Sequence, residues 1–186
     1  MNYYTLITGA SSGIGRAMAL QLAAKKVSLI LVARNEEQLR RVQQECVERH
    51  GVQADCITAD LALPGAAVKV YREVEARGYQ VNGLINNAGF GDYGRFTEMP
   101  LEADEGMIAV NVTALVGLTK LFAADMVKRG EGRVMNVASL LSFLPFPYYT
   151  VYSATKAFVL AFSETLAAEL KGSGVVVNAL WPGTGV

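Results

Sequence analysis

Tyr152 and Lys156 stand four residues apart in a stretch that reads Ser139-Leu-Leu-Ser-Phe-Leu-Pro-Phe-Pro-Tyr-Tyr-Thr-Val-Tyr-Ser-Ala-Thr-Lys156. Four residues is just over one helical turn, so in a helix the phenol and the ammonium leave the same face. A free phenol, with a pKa near ~10, is a poor base at neutral pH. A fixed positive charge beside it favours the phenolate, and a tyrosine so tuned can give or take a proton near pH 7. Ser139 follows the apolar run 133–138, which reads as a strand. A strand end and a helix start can bring Ser139 and Tyr152 to one carbonyl oxygen. The pair alone also suits a half-buried tyrosine with its hydroxyl in water. The chemical reading therefore needs a nucleotide site delivered to the same place.

Such a site is legible near the N-terminus. Thr8-Gly9-Ala10-Ser11-Ser12-Gly13-Ile14-Gly15 lies between an apolar run and a helical pattern. Glycines there let the backbone turn tightly and approach a pyrophosphate, and the helix N-terminus offers free N–H groups. Ser11 and Ser12 could add hydroxyl donors. The spacing Gly-x-x-x-Gly-x-Gly differs from both the commoner Gly-x-Gly-x-x-Gly and the Walker loop, and a purely structural tight turn is the competing reading. At the end of the second strand an acid would hold ribose hydroxyls, whereas an Arg accommodates a 2′-phosphate. This chain has Ala33-Arg34-Asn35 there. A guanidinium gains most from a phosphate, so the reading is NADP (NADPH) rather than NAD, against the alternative of Arg34 as a solvated surface charge.

The elements that must position these groups alternate between short apolar runs and longer helical patterns, the mark of a parallel sheet with helices on both faces. Strands are expected at 4–8, 28–33, 52–58, 81–86, 133–138 and 175–180. Helices are expected from the Gly-rich turn to about Lys25, from a cap at Asn35 to near Gly51, and over 64–78, 101–129 and 148–171. Asn35 with Gln38 three residues on is a capping-box pattern. The fourth strand runs into Asn86-Asn87-Ala88-Gly89, and Asn111 interrupts the apolar face of a long helix.

Composition narrows the class. The chain has 186 residues, 52% hydrophobic and 18% charged, which suits one globular domain with a sizeable core. Lys plus Arg and Asp plus Glu are 17 each, so nothing points to nucleic acid or an anionic membrane. Cys46 and Cys56 show no metal-ligand spacing, and the expectation is two reduced thiols in a cytoplasmic protein with no metal. The run 107–127 is long and apolar, but Asn111, Thr113, Thr119, Lys120 and Asp125 interrupt it, so a buried helix is expected rather than a membrane span.

Taken together, Thr8–Gly15, Asp60-Leu61, Asn86-Asn-Ala-Gly89, Asn111, Ser139, Tyr152-x-x-x-Lys156 and Pro182-Gly183 appear in one order across nearly the whole chain. In this the chain resembles the short-chain dehydrogenase/reductase family. The resemblance implies a Rossmann-type doubly wound α/β fold, with six strands in the order 3-2-1-4-5-6. It implies that Gly9, Ser11, Ser12, Gly13, Ile14 and Gly15 line the pyrophosphate site and that Arg34 takes the 2′-phosphate. By the same resemblance Asp60 and Leu61 flank the adenine, Asn87, Ala88 and Gly89 pack along the cofactor, and Lys156, Pro182, Gly183 and Thr184 border the nicotinamide and its ribose. Ser139 would bind the substrate oxygen, Tyr152 exchange a proton with it, Lys156 tune Tyr152, and Asn111 steady a water on a proton path toward Lys156. The family pattern continues beyond Thr184 with a substrate segment, a helix and a seventh strand. The expectation is thus a single domain, 1–186, whose C-terminal strand and substrate segment are absent.

The expected activity is hydride transfer between NADP(H) and an apolar carbonyl or secondary alcohol. Ser139, Leu141, Phe146 and Tyr152 would contact the substrate, and Phe90, Tyr93, Leu140, Phe143, Leu144 and Tyr148 are further wall candidates. The alternative is a non-catalytic NADP-binding regulator of the same fold, which has no need of Ser139, Tyr152 and Lys156 together. A nucleotide-sugar epimerase or dehydratase would have a different glycine spacing and a large C-terminal domain. The helices 101–129 and 148–171 carry apolar residues on more than one face, so a homodimer or homotetramer through them is expected.

Overall fold

In the computed structural model, which describes residues 3–144 and 146–183, the apolar runs form one parallel sheet. Its strands are β1 (Tyr3–Thr8), β2 (Ser28–Ala33), β3 (Ala54–Thr58), β4 (Gln80–Asn86), β5 (Gly132–Val137) and β6 (Val175–Leu180). Their order is β3-β2-β1-β4-β5-β6, as expected. The central strands are apolar without alternation because both faces are covered. In β2, Leu29, Ile30, Leu31 and Val32 are all fully buried. Burying each such side chain is worth about 1.5–3 kcal/mol.

Two helices, α1 (Gly13–Ala24) and α2 (Glu36–His50), cover one face. There Ala19, Ala23, Leu39, Val42 and Cys46 pack on Ile7, Leu29 and Leu31. Opposite them lie α3 (Ala66–Ala76), α4 (Leu101–Ile108), α5 (Leu115–Arg129) and α6 (Thr150–Glu169). On this side Val70, Val74, Leu118, Phe122 and Met126 pack on Leu6, Ile30, Leu84 and Val134. The expected cap of α2 is present: Asn35 Oδ1 accepts the Gln38 N–H at 3.0 Å, and Gly51 closes the helix at φ 64°.

The strand expected at 52–58 begins at Ala54, and three expected helices differ in detail. The helix 101–129 keeps one path but is π-helical over Ala109–Ala114, around Asn111. The helix expected from residue 148 begins at Thr150, because Tyr148 has a left-handed backbone at φ 70°. The helix expected from Pro64 begins at Ala66, after a left-handed Gly65. The span Leu101–Arg129 is long and apolar enough to cross a membrane, yet half of its apolar 18-residue stretch is buried within the fold.

Candidate active site

Parallel strands of this order leave a crevice outside their carboxyl ends, beside the central strand where the order reverses. A cleft of about 1030 Å³ occupies that crevice, at the upper end of the range for small-molecule sites.

One end of it is made by backbone. Gly9 and Gly13 have φ of +65° and +53°, conformations that cost a non-glycine residue strain. A Cβ on Gly9 would lie 2.8 Å from Asn87 Nδ2 and 2.9 Å from Ala88 Cα, while Gly13 faces open space. No side chain caps α1 at Ser12, so its first N–H groups are free for an anion. Thr8 Oγ1 accepts the N–H groups of Asn87 and Ala88 at 3.1 and 2.9 Å, and Asn87 Nδ2 donates to the carbonyls of Thr8 and Gly9. These bonds fasten the Asn-Asn-Ala-Gly turn after β4 to the glycine turn after β1. Beyond β2, Arg34 is exposed at the cleft wall with Asn35 and Gln38. Among the described residues it has no carboxylate partner. Asp60 and Leu61 line the wall after β3.

Side chains make the other end. Ser139 leaves the end of β5 and enters a 3₁₀ turn, Leu140–Ser142. Its Oγ accepts the Leu141 N–H at 3.2 Å, so its own proton is available to an acceptor in the cleft. Tyr152 and Lys156 project from the first turns of α6 into the same cleft. Lys156 is 5% exposed, and its Nζ donates to the Val137 carbonyl at 2.8 Å and lies 5.7 Å from the Tyr152 ring centre. Burial pushes its amine down to about 8, because desolvation disfavours the charged form. Gly91 lies against Tyr152, where a Cβ would come within 2.6 Å of the ring.

Most of the residues singled out in the sequence line this one cleft: Gly9, Ser11, Ser12, Gly13, Ile14, Arg34, Asp60, Leu61, Asn87, Ala88, Gly89, Ser139, Leu141, Phe146, Tyr152, Lys156, Pro182 and Gly183. Two do not. Gly15 sits beneath the turn, where a Cβ would overlap the Gly9 carbonyl and the Asn87 amide; it lets the start of α1 pack closely on the glycine turn and Asn87. Asn111 is 1% exposed, outside the cleft lining. Its Oδ1 accepts the Phe90 N–H at 3.1 Å, and its Nδ2 donates to the Phe90 carbonyl at 2.9 Å and to Thr155 Oγ1 at 3.1 Å. Both amide protons are thereby committed. Thr184 lies outside the described residues.

Of the wall candidates, Phe90 and Leu140 line the cleft, whereas Tyr93, Phe143, Leu144 and Tyr148 do not: Leu144 is exposed, Phe143 packs edge-on against Trp181, and Tyr93 packs against Tyr148. Tyr149 lines the cleft as well, 6.0 Å from the Tyr152 ring. Sequence reasoning passed over Tyr149, Gly91 and Ser142; only the adjacency of Tyr149 to the Tyr-Lys pair was a signal.

Comparison with known proteins agrees with this fold. The profile described as short chain dehydrogenase matches residues 4–185. The very-long-chain 3-oxoacyl-CoA reductase of Anas platyrhynchos is 34% identical over 188 residues, which is 96% of this chain and 58% of that protein. The chain thus spans less than two thirds of that relative's length. Among solved structures, the bulky-bulky ketone specific alcohol dehydrogenase of Comamonas testosteroni superposes with a TM-score of 0.92 at 34% identity, covering 98% of this chain and 73% of that one. A short-chain dehydrogenase of Sphingobium yanoikuyae, solved in complex with NADPH, gives 0.92 at 36% identity, covering 97% and 71%. On this match of sequence and fold, the chain belongs to the short chain dehydrogenase family.

Proposed function

We propose that this chain carries out NADP(H)-dependent reduction of an apolar ketone or aldehyde, or the reverse oxidation of a secondary alcohol. The observation that carries the reading is a single cleft with a phosphate-ready glycine turn and Arg34 at one end and Ser139, Tyr152 and Lys156 at the other. Gly9, Ser11, Ser12, Gly13, Ile14 and the start of α1 would hold the pyrophosphate, and Arg34 the 2′-phosphate. Asp60, Leu61, Asn87, Ala88, Gly89, Lys156, Pro182 and Gly183 would hold the remainder. When bound, the dinucleotide supplies the hydride that a carbonyl carbon accepts.

The protein's part is proton management. Ser139 donates a hydrogen bond to the substrate oxygen, which fixes and polarises it. Tyr152 gives its proton to that oxygen as negative charge develops there. Lys156, buried and still mostly protonated at pH 7, favours the tyrosinate left behind. Leu140, Leu141, Phe146 and Tyr149 give the substrate end an apolar wall, which suits a neutral, bulky carbonyl compound. The related bulky-ketone alcohol dehydrogenase is consistent with that class. A pure NADP sensor has no use for Ser139, Tyr152 and Lys156 in one place.

The test is a fluorescence titration with NADPH and with NADH, followed by NADPH consumption against a panel of bulky apolar ketones. The reading expects NADPH to bind at least tenfold tighter than NADH, with ketone-dependent consumption. Equal binding would remove Arg34 as the selector, and NADPH binding without turnover of any ketone would favour the sensor.

A further inference from the structure

Ser142 is the side chain that joins two of the three groups assigned to chemistry. Its Oγ accepts the backbone N–H of Ser139 at 3.2 Å and donates to the backbone carbonyl of Lys156 at 2.8 Å. A hydroxyl has one proton to donate, and here it is spent on α6. Lys156 lies inside α6, where its carbonyl already has a place in the helical ladder, so the Ser142 bond is an addition that the helix itself does not require.

The other partner does depend on it. The turn Leu140–Ser142 is three residues long and is closed by two backbone bonds, Ser142 N–H to the Ser139 carbonyl at 3.0 Å and Phe143 N–H to the Leu140 carbonyl at 3.1 Å; neither of them reaches α6 or engages the Ser139 N–H. That turn sets the direction of the Ser139 hydroxyl, because Ser139 Oγ accepts the Leu141 N–H. Without Ser142 Oγ the Ser139 N–H loses its acceptor, and the turn loses its one side-chain hydrogen bond to the helix that carries Tyr152 and Lys156.

Resting on the reductase reading above, we propose that Ser142 is a positioning residue. It holds the Ser139 hydroxyl in register with Tyr152 and Lys156, by tying the turn after β5 to the second turn of α6. Misplacing a hydrogen-bond donor by a fraction of an ångström to an ångström costs roughly 10- to 100-fold in rate while leaving remote binding intact.

The experiment compares Ser142→Ala and Ser142→Thr with wild type in three readouts: kcat and KM for a ketone, NADPH affinity, and amide hydrogen exchange of Ser139 in the protein without cofactor. The expected result for Ser142→Ala is a kcat at least tenfold lower, NADPH affinity within twofold of wild type, and Ser139 exchange about tenfold faster. Ser142→Thr, which keeps the hydroxyl, should restore both kcat and exchange. An unchanged kcat in Ser142→Ala overturns the proposal. So does a loss of kcat matched by an equal loss of NADPH affinity and not repaired by threonine. A wild type without turnover would remove the reductase reading but not the tie, which the exchange rate of Ser139 judges separately: unchanged exchange in Ser142→Ala overturns it.

Discussion

The phenol of Tyr152 is aimed by what lies on either side of it. Gly91 leaves room for the ring where a single methyl would intrude to 2.6 Å, and those ring atoms are not the free end of a flexible chain. Gly91→Ala should therefore push the phenol off its line and lower kcat about 100-fold, a loss larger than any change in NADPH affinity; steady-state kinetics beside a binding titration would check this. Lys156 makes a separate, thermodynamic prediction. Its amine titrates near 8 in the fold against 10.5 in the open chain. Below pH 8 it is charged in both states, and the fold bears the whole desolvation cost. Between pH 8 and 10.5 the unfolded chain holds more protons, so stability rises with pH through that window. The gain attributable to this group is about 3 kcal/mol. Urea unfolding across pH 7–10.5 should show this rise in wild type relative to Lys156→Met, which loses the titrating group and should also lose turnover.

At the scale of elements, the join between α4 and α5 decides how the loop after β4 meets α6. Asn111 holds Phe90 by both backbone groups and reaches Thr155, which in turn donates to the Tyr152 carbonyl at 2.8 Å. Removing it takes three hydrogen bonds away, two to the part-buried backbone of Phe90 and one to the buried Thr155 hydroxyl. Asn111→Ala should thus cost about 2 kcal/mol in chemical denaturation and lower kcat, acting through geometry. A second buried chain, Asn86 to Thr119 and Asn136, and Asn136 to Ser163, fastens β4, β5, α5 and α6 behind the cleft. Much of this frame was legible in the sequence. Unbroken apolar runs such as 28–33 can only be strands covered on both faces, and Asn35 with Gln38 announced the start of α2. What was not legible depends on partners far along the chain. The π-helical turn exists where Asn111 meets a loop twenty-one residues away. Tyr148 turns left-handed and excludes itself from α6, which no local propensity foretells. Gly15 fits the motif by its spacing and is expected at the pyrophosphate site, whereas its lack of a Cβ makes room for the Gly9 carbonyl and the Asn87 amide below the turn. Ser142 and Gly91 carry no pattern of their own, since each matters only through the catalytic side chain it touches.

On the scale of the molecule, the strand order places the functional groups at the carboxyl ends of the strands, and α6, which delivers Tyr152 and Lys156, presents apolar side chains outward, as does α4. Leu101 is 66% exposed, and Ile108 and Phe158 are exposed on α4 and α6. We propose that these faces pair copies of the chain. Light scattering should then give a mass of at least twice 20.0 kDa, and Phe158→Glu should lower it; a monomeric wild type would contradict the pairing. The central claim is that a proton held by Tyr152 reaches a substrate oxygen in the same cleft that binds NADPH. Its most direct test is Tyr152→Phe, which removes one oxygen and leaves the cleft wall. The variant should bind NADPH within twofold of wild type and consume it with a bulky apolar ketone at least 1000-fold more slowly. Turnover near the wild-type rate would show that the proton comes from elsewhere and would contradict the account.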